Sequence, residues 1–293
     1  MTISNISTII KIKDDIYRIK YSNGDDYKGG WENNMKHGKG TMKYKDGDVY
    51  KGNWVKDKRH GKGTMNYEDG GVYKGNWVKD KRHGKGKMKY NNYEDECEDE
   101  SEDEFECIYE GDWLEDKRHG KGTMTYKDGG VYKGDWVKDK RHGQGKMQYE
   151  FYEGYYEGDW EKDVREGKGI MRYIKDDGVY KIYNGEWKKD EREGQGKMEF
   201  YNGDVYVGEW KNDAIEGKGR FIYGEDEDEK ESYYGEFKYY RIDGTGTMLY
   251  RNGDSYTGEW KAWKREGKGI MKYSNGDIYE GEWKKDEICG KLH

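Results

Sequence analysis

The feature that most constrains this chain of 293 residues is a repeat. The pattern Tyr-x-Gly-x-Trp begins at Tyr27, Tyr50, Tyr73, Tyr109, Tyr132, Tyr156, Tyr183, Tyr206, Tyr233, Tyr256 and Tyr279, with Phe237 replacing Trp in the ninth copy. Six of the ten spacings are 23 residues. Six residues after the Trp position comes a His or an acid followed by Gly-x-Gly, as in His60-Gly61-Lys62-Gly63, then Met and an aromatic; the last copy stops at Cys289-Gly290. Self-similarity at this period marks stacked supersecondary units, none of which can bury its apolar face alone.

The repeat explains an odd composition. Thirty Tyr, 11 Trp and 5 Phe make 46 aromatics, while the aliphatic residues that a two-layer core of this length needs are scarce. A charged fraction of 40% and a mean hydropathy of -1.43 suit a disordered chain, but such chains are poor in aromatics. Ten of the 11 Trp, nine of the 11 Met and 32 of the 45 Gly occupy fixed columns, so the composition belongs to something ordered but thin.

Alternation marks both halves of each unit as strands. Tyr50, Gly52 and Trp54 share one face, with Val49, Lys51 and Asn53 on the other; Gly63, Met65 and Tyr67 likewise oppose Lys62, Thr64 and Asn66. Asp46-Gly47, Asn202-Gly203, Asn252-Gly253 and Asn275-Gly276 predict hairpin turns. A three-residue turn at Asp46 to Asp48 predicts Tyr44 opposite Tyr50, Met42 opposite Gly52 and Gly40 opposite Trp54. In this reading the fixed glycines, Gly52, Gly61 and Gly63 among them, make room for rings, and one sheet buries a face without a second layer.

The string Tyr-Lys-Gly-Asn-Trp, five residues, then His-Gly-Lys-Gly-Thr-Met-x-Tyr-x-Asp-Gly resembles the MORN repeat (membrane occupation and recognition nexus), in eleven copies over about residues 17–290. The resemblance implies an all-β fold: an elongated single-layer antiparallel meander of repeated β-hairpins, twisted into a rod or trough. Strand geometry agrees, since eleven hairpins at about 9.6 Å each give a sheet about 100 Å long before twist. The expected layout is an N-terminal cap and first strand at 1–20, the array at 21–290 with acidic insertions at 93–107 and 225–231, and a tail at 291–293.

Every connection from the Trp position to the His or acid column is six residues, so all length variation lies in the other turn. Alternate turns lie on opposite edges, so one edge is uniform and the other carries every insertion. The uniform edge is the candidate contact surface; constraint by the short turn alone is the competing reading. Residues 93–107 hold ten acids and no base, and without them the net charge moves from -7 to +3. Residues 225–231 add six acids and one Lys, whereas residues 1–90 hold 21 bases against 11 acids.

Chemistry finds little purchase. The column histidines His37, His60, His83, His119 and His142 would stand about 9.6 Å apart, too far to share a Zn²⁺ with ligands at about 2.1 Å. Glu166, Glu193, Glu216 and Glu266 fill the same column, so a turn or hydrogen-bond role is expected. Cys97 and Cys107 lie in the acidic insertion, which lacks EF-hand spacing, and Ser101 sits among acids in a context resembling acidophilic kinase sites. The Gly-x-Gly elements lack a GKS/T ending, and no Gly-x-Ser-x-Gly or Cys/His arrangement occurs, so the expectation is no enzyme, no cofactor, no metal and no small-molecule substrate. No secretory leader, transmembrane run or lipidation signal is evident, and an intracellular setting is expected, free or beside a membrane, cytoskeletal structure or assembled particle.

Two sets of residues are candidates for partner or lipid contact. The first is the basic turns along the uniform edge: Lys56, Lys58 and Arg59; Lys79, Lys81 and Arg82; Lys117 and Arg118; Lys138, Lys140 and Arg141. Such a stripe suits anionic phospholipid headgroups or an acidic protein, or is a solvated rim that blunts aggregation. The second is Tyr239 and Tyr240 in copy nine with Trp263 and Arg265 in copy ten, suited to a protein contact, a membrane interface or local packing. Nucleic acid is disfavoured, because the aromatics are claimed by the sheet and the acidic insertions repel phosphate. The function expected is a non-enzymatic scaffold binding protein partners or itself, with self-association through the half-built last unit, or alternatively a peripheral adaptor on phosphoinositide-bearing membranes.

Overall fold

The computed structural model describes residues 5–91, 106–149, 154–175, 178–224 and 231–289. It divides into two compact units, Met1–Glu150 and Phe151–His293. Among the described residues there are strands and turns but no α-helix, and so no helix long and apolar enough to cross a membrane.

The first unit holds β1 (Ile6–Lys13), β2 (Ile16–Tyr21), β3 (Asp26–Glu32), β4 (Met35–Lys43), β5 (Val49–Val55), β6 (Lys58–Asn66), β7 (Val72–Val78), β8 (Lys81–Lys89), β9 (Ile108–Leu114), β10 (Lys117–Thr125), β11 (Val131–Val137) and β12 (Lys140–Gln148). The second holds β13 (Tyr155–Glu161), β14 (Val164–Lys175), β15 (Gly178–Lys188), β16 (Glu191–Phe200), β17 (Val205–Lys211), β18 (Ala214–Tyr223), β19 (Glu231–Lys238), β20 (Arg241–Leu249), β21 (Ser255–Lys261), β22 (Lys264–Lys272), β23 (Ile278–Lys284) and β24 (Glu287–Cys289). Within each unit every strand pairs antiparallel with the next, so each is the all-β meander expected from the repeat. The strands β1 and β2 precede the first repeat, and β2 pairs directly with its first strand.

The register differs from the sequence-based expectation by one pleat. Met42, not Tyr44, lies opposite Tyr50; Gly40 lies opposite Gly52, and Gly38 opposite Trp54. The loop is correspondingly five residues: Tyr44 N–H donates to the Asp48 carbonyl at 2.9 Å, and Gly47 N–H returns to the Tyr44 carbonyl at 3.2 Å. The facing glycines have a steric role in the next ladder, where the Tyr50 hydroxyl end lies over a glycine pair. Gly52 pairs with Gly63 across the β5–β6 ladder, and a Cβ on Gly63 would lie 2.3 Å from the Tyr50 oxygen.

The Asx-Gly hairpin turns form where the sequence places them, with Gly203 N–H donating to the Phe200 carbonyl at 3.0 Å and Gly276 N–H to that of Tyr273 at 2.9 Å, but the tighter turns lie on the other edge. The two-residue hairpin turns are Lys56-Asp57, Lys79-Asp80, Lys138-Asp139 and their counterparts, with both residues at positive φ, for example 50° and 65° at the first of these. That is type I′ geometry, usually left to Asn and Gly because side chains crowd in this region. Just past each turn the ladder bulges: Gly61 and Lys62 pair with Trp77 and Asn76 of β7 but are skipped by β5.

The core is an aromatic ladder. Tyr50 packs edge-on against Trp54 at 5.1 Å and against Trp77 of the next repeat at 5.4 Å, and Tyr73 continues the series to Trp113. Tyr50 is fully buried, and Trp54 and Met65 are each 2% exposed. Edge-to-face pairs of this kind contribute about 1 kcal/mol each beyond area burial, and the Tyr50–Trp77 pair joins one repeat to the next. The polar ends of these rings find backbone acceptors: the Tyr50 hydroxyl donates to the Asn53 carbonyl at 3.1 Å and the Trp77 indole N–H to that of Gly63 at 3.4 Å.

Candidate interaction surface

The type I′ turns set the geometry of the uniform edge. A two-residue turn of this kind projects its first side chain into solvent and turns the second residue after it back over the sheet. Lys56, Lys58, Lys79, Lys81, Lys117, Lys138 and Lys140 accordingly lie exposed, as the stripe reading expects.

The arginines of the same motif take a different place. The Arg59 guanidinium lies 4.5 Å from the centre of the Trp77 ring, its side chain is 20% exposed, and its Nε donates to Asp80 Oδ1 at 3.4 Å. The Arg59 backbone N–H also donates to Asp80 Oδ1, at 2.8 Å, and the Asp80 N–H returns to the Arg59 carbonyl at 3.0 Å. Arg82 repeats this with Asp116 and Trp113, and Arg118, buried, with Asp139 and Trp136. In the second unit Arg165, Arg192 and Arg265 pair with Asp190, Asp213 and Asp286. Arg141 lies over Tyr132 at 5.8 Å. These cations roof the aromatic ladder and clamp each turn to the preceding repeat.

Lys36 holds the same column in the first repeat. It is 3% exposed, lies 5.1 Å from the Trp54 ring centre and sits 3.7 Å from Asp57. Burial pushes its ammonium pKa down, opposed by Asp57.

Two copies depart. Where the turn reads Tyr239-Tyr240 or Ala262-Trp263, no carboxylate is offered, and the column residue of the preceding repeat is Ile215 or Ile242, 3% and 0% exposed. The backbone clamp persists, since Tyr240 N–H donates to the Ile215 carbonyl at 3.1 Å and Trp263 N–H to that of Ile242 at 2.9 Å. The aliphatic side chains fill the buried place, leaving Tyr239, Tyr240 and Trp263 between 45% and 69% exposed. Tyr240 folds partly back: its hydroxyl meets the Asp213 carbonyl and its ring faces Trp210 at 6.4 Å. The sequence analysis missed this Arg–Asp coupling, although the signal was present: Ile replaces Arg in the two places where the following turn lacks Asp.

The acid column forms the turn contacts expected of it. Glu166, Glu193, Glu216 and Glu266 each accept the backbone N–H of the first turn residue in the next repeat, at 2.9 to 3.1 Å. Among the described residues no three His, Cys, Asp or Glu side chains gather in a way that would hold a metal ion. Tyr67 lies half-buried beside the arginine row, and burial raises its phenol pKa against the opposing charges of Arg82 and Arg59. Cys97, Ser101 and nearly all of both acidic insertions lie outside the described residues.

No curated protein sequence matches the chain. Among solved structures, the TCP10 domain of Danio rerio CPAP in complex with a STIL peptide aligns at 12% identity over 94% of this chain and 99% of that one, with a TM-score of 0.33. The TCP domain of Drosophila melanogaster SAS-4, in complex with a proline-rich motif of Ana2, aligns at 12% identity over 94% and 90%, with a TM-score of 0.19. Scores this low carry no argument about this chain. The MORN repeat family profile matches residues 27–49, 50–72, 73–94, 109–131, 132–150, 156–177, 183–205, 206–225, 233–255, 256–278 and 279–291. With eleven matched repeats whose Tyr, Trp, Gly and Met columns form the buried ladder described above, the chain belongs to the MORN repeat family.

Proposed function

We propose that this MORN repeat protein is a non-enzymatic scaffold that gathers protein partners along its short-turn edge. The observation that carries the reading is a division of labour within each repeat. Tyr, Trp, Met and Arg are consumed by the ladder and its roof, while the turn lysines, and in copies nine and ten Tyr239 and Trp263, are presented to solvent by backbone fixed to the preceding repeat. Rigidly held, exposed aromatics beside cations are the composition of protein-contact hot spots. The test is affinity purification from the native cell with wild-type protein and two variants, Tyr239→Ala with Trp263→Ala, and Lys56→Glu with Lys79→Glu and Lys138→Glu. A defined partner lost from one variant while circular dichroism is unchanged supports the reading. Identical partner sets in all three would overturn it.

A second reading, attachment to anionic phospholipid surfaces, is favoured by the exposure of the seven edge lysines. Co-sedimentation with phosphoinositide vesicles tests it, using Lys58→Glu, Lys81→Glu and Lys140→Glu and leaving the roofing arginines intact. Equal sedimentation of both proteins, or none of either, would remove it.

A further inference from the structure

The sheet face opposite the aromatic ladder is strongly cationic over the first three repeats. Lys28, Lys51 and Lys74 share one row across β3, β5 and β7, because Thr41 of β4 pairs with both Lys28 and Lys51, and Thr64 of β6 with both Lys51 and Lys74. Lys39 and Lys62 stand two residues along their strands from Thr41 and Thr64, and therefore on the same face. All five lysines are exposed, and none forms an ion pair among the described residues. At about 9.6 Å between alternate strands they make a grid of point charges. The grid meets a further cation at its end, where Lys74 stands directly opposite Lys87, a like-charge pairing eased on the Lys87 side by Glu110.

At its two borders this face already takes carboxylates. Arg18 binds Asp26 at 2.6 Å on one side; on the other, Lys85 binds Asp112 at 2.8 Å and Lys87 reaches Glu110 at 3.8 Å. Between the lysines stand Thr41, Thr64, Asn53, Asn76, Val49 and Val72. These offer no aromatic platform for bases and no arginine fork for phosphate.

We propose that this face is a docking surface for an acidic protein segment whose carboxylates extend across β3 to β7 the pairing seen at the borders. It concerns a different surface from the short-turn edge, so either reading can fail without the other. The probe is a synthetic peptide of residues 92–105 carrying Cys97→Ser, an acidic sequence without a base, titrated against the full chain by fluorescence anisotropy. Binding is expected at about 0.05 M salt and lost at about 0.3 M, as screening shortens the range of exposed charges. Lys51→Gln with Lys62→Gln and Lys74→Gln should weaken it about tenfold or more, while Lys56→Gln with Lys79→Gln and Lys138→Gln on the edge leaves it unchanged. Carbodiimide crosslinking of the peptide to the wild-type chain, mapped by mass spectrometry, should label Lys28, Lys39, Lys51, Lys62 or Lys74. Absent binding at low salt, equal loss in both variants, crosslinks confined to other lysines, or tighter capture of duplex DNA or phosphatidylserine vesicles by the same lysines would each overturn the proposal.

Discussion

Arg82 holds Asp116 across the acidic insertion with the same 3.4 Å contact that joins Arg59 to Asp80, although 34 residues separate the first pair and 21 the second. The insertion leaves the clamp untouched because it enters at the opposite edge. Asp80→Ala should therefore act as a hinge-loosening change: it strands the Arg59 backbone N–H and leaves the guanidinium only its bond to the residue-80 carbonyl. The expected loss is about 2 kcal/mol, seen in hydrogen-exchange mass spectrometry as faster exchange in β6 and β7. Lys58→Ala, an exposed neighbour, should change exchange by no more than about 0.5 kcal/mol. Equal effects would show that the clamp does not stabilise the repeat.

The facing glycines make a sharper steric prediction. A methyl group at Gly63 would collide with the Tyr50 hydroxyl at 2.3 Å, whereas one at Gly70, in a loop at φ 98°, would meet nothing within 4 Å. Gly63→Ala should cost about 3 kcal/mol through overpacking, and Gly70→Ala about 1 kcal/mol from its backbone conformation alone. Thermal melts of the two variants give the comparison, and a smaller shift for Gly63→Ala would mean that the ladder yields.

How much of this was legible in the sequence varies by residue. Columns of Tyr, Trp, Met and Gly identified the fold, because a period of about 23 residues with alternation inside it admits few structures. Register was not legible: a shift of two residues keeps Met42 and Tyr44 on the same face, so alternation cannot choose between them. The turns were legible on one edge only. Asp46-Gly47 forms its hairpin turn, but nothing local marks the tighter Lys56-Asp57 turn, whose left-handed backbone is held by contacts with the preceding repeat. Arg59 read as part of an exposed stripe because it stands in a charged string; only the neighbouring Trp77 and Asp80, brought in by the fold, assign it to the roof.

Alkali should unfold the protein over a defined window. Burial, the largest cause in each case, raises the phenols of Tyr21, Tyr44, Tyr223 and Tyr256 to about 12, against about 10 in the unfolded chain. Below pH 10 both states keep these protons, so the contribution to stability is complete. Between 10 and 12 the unfolded state releases them and the folded state does not, so stability falls as pH rises, and it is lost above 12. Phenolate absorbance should then rise together with the loss of the β circular dichroism signal. A gradual rise centred near pH 10 with the fold intact would contradict the burial of these rings.

The exchange of Arg–Asp for Ile–aromatic can be tested by reversing it. Ile215 is 3% exposed beneath a turn that offers Tyr240 in place of Asp. Ile215→Arg alone buries a guanidinium without a carboxylate and should cost about 3 kcal/mol or more. Tyr240→Asp alone removes a half-exposed ring and its contacts with Trp210 and the Asp213 carbonyl, a smaller loss. Together they rebuild the pairing found at Arg192 and Asp213, where Nε and Oδ1 lie 2.8 Å apart. The double variant should therefore be more stable than the sum of the singles by about 2 kcal/mol in a double-mutant cycle. Additive losses would show that the two columns vary independently, and that Tyr240 is not tied to the residue beneath it.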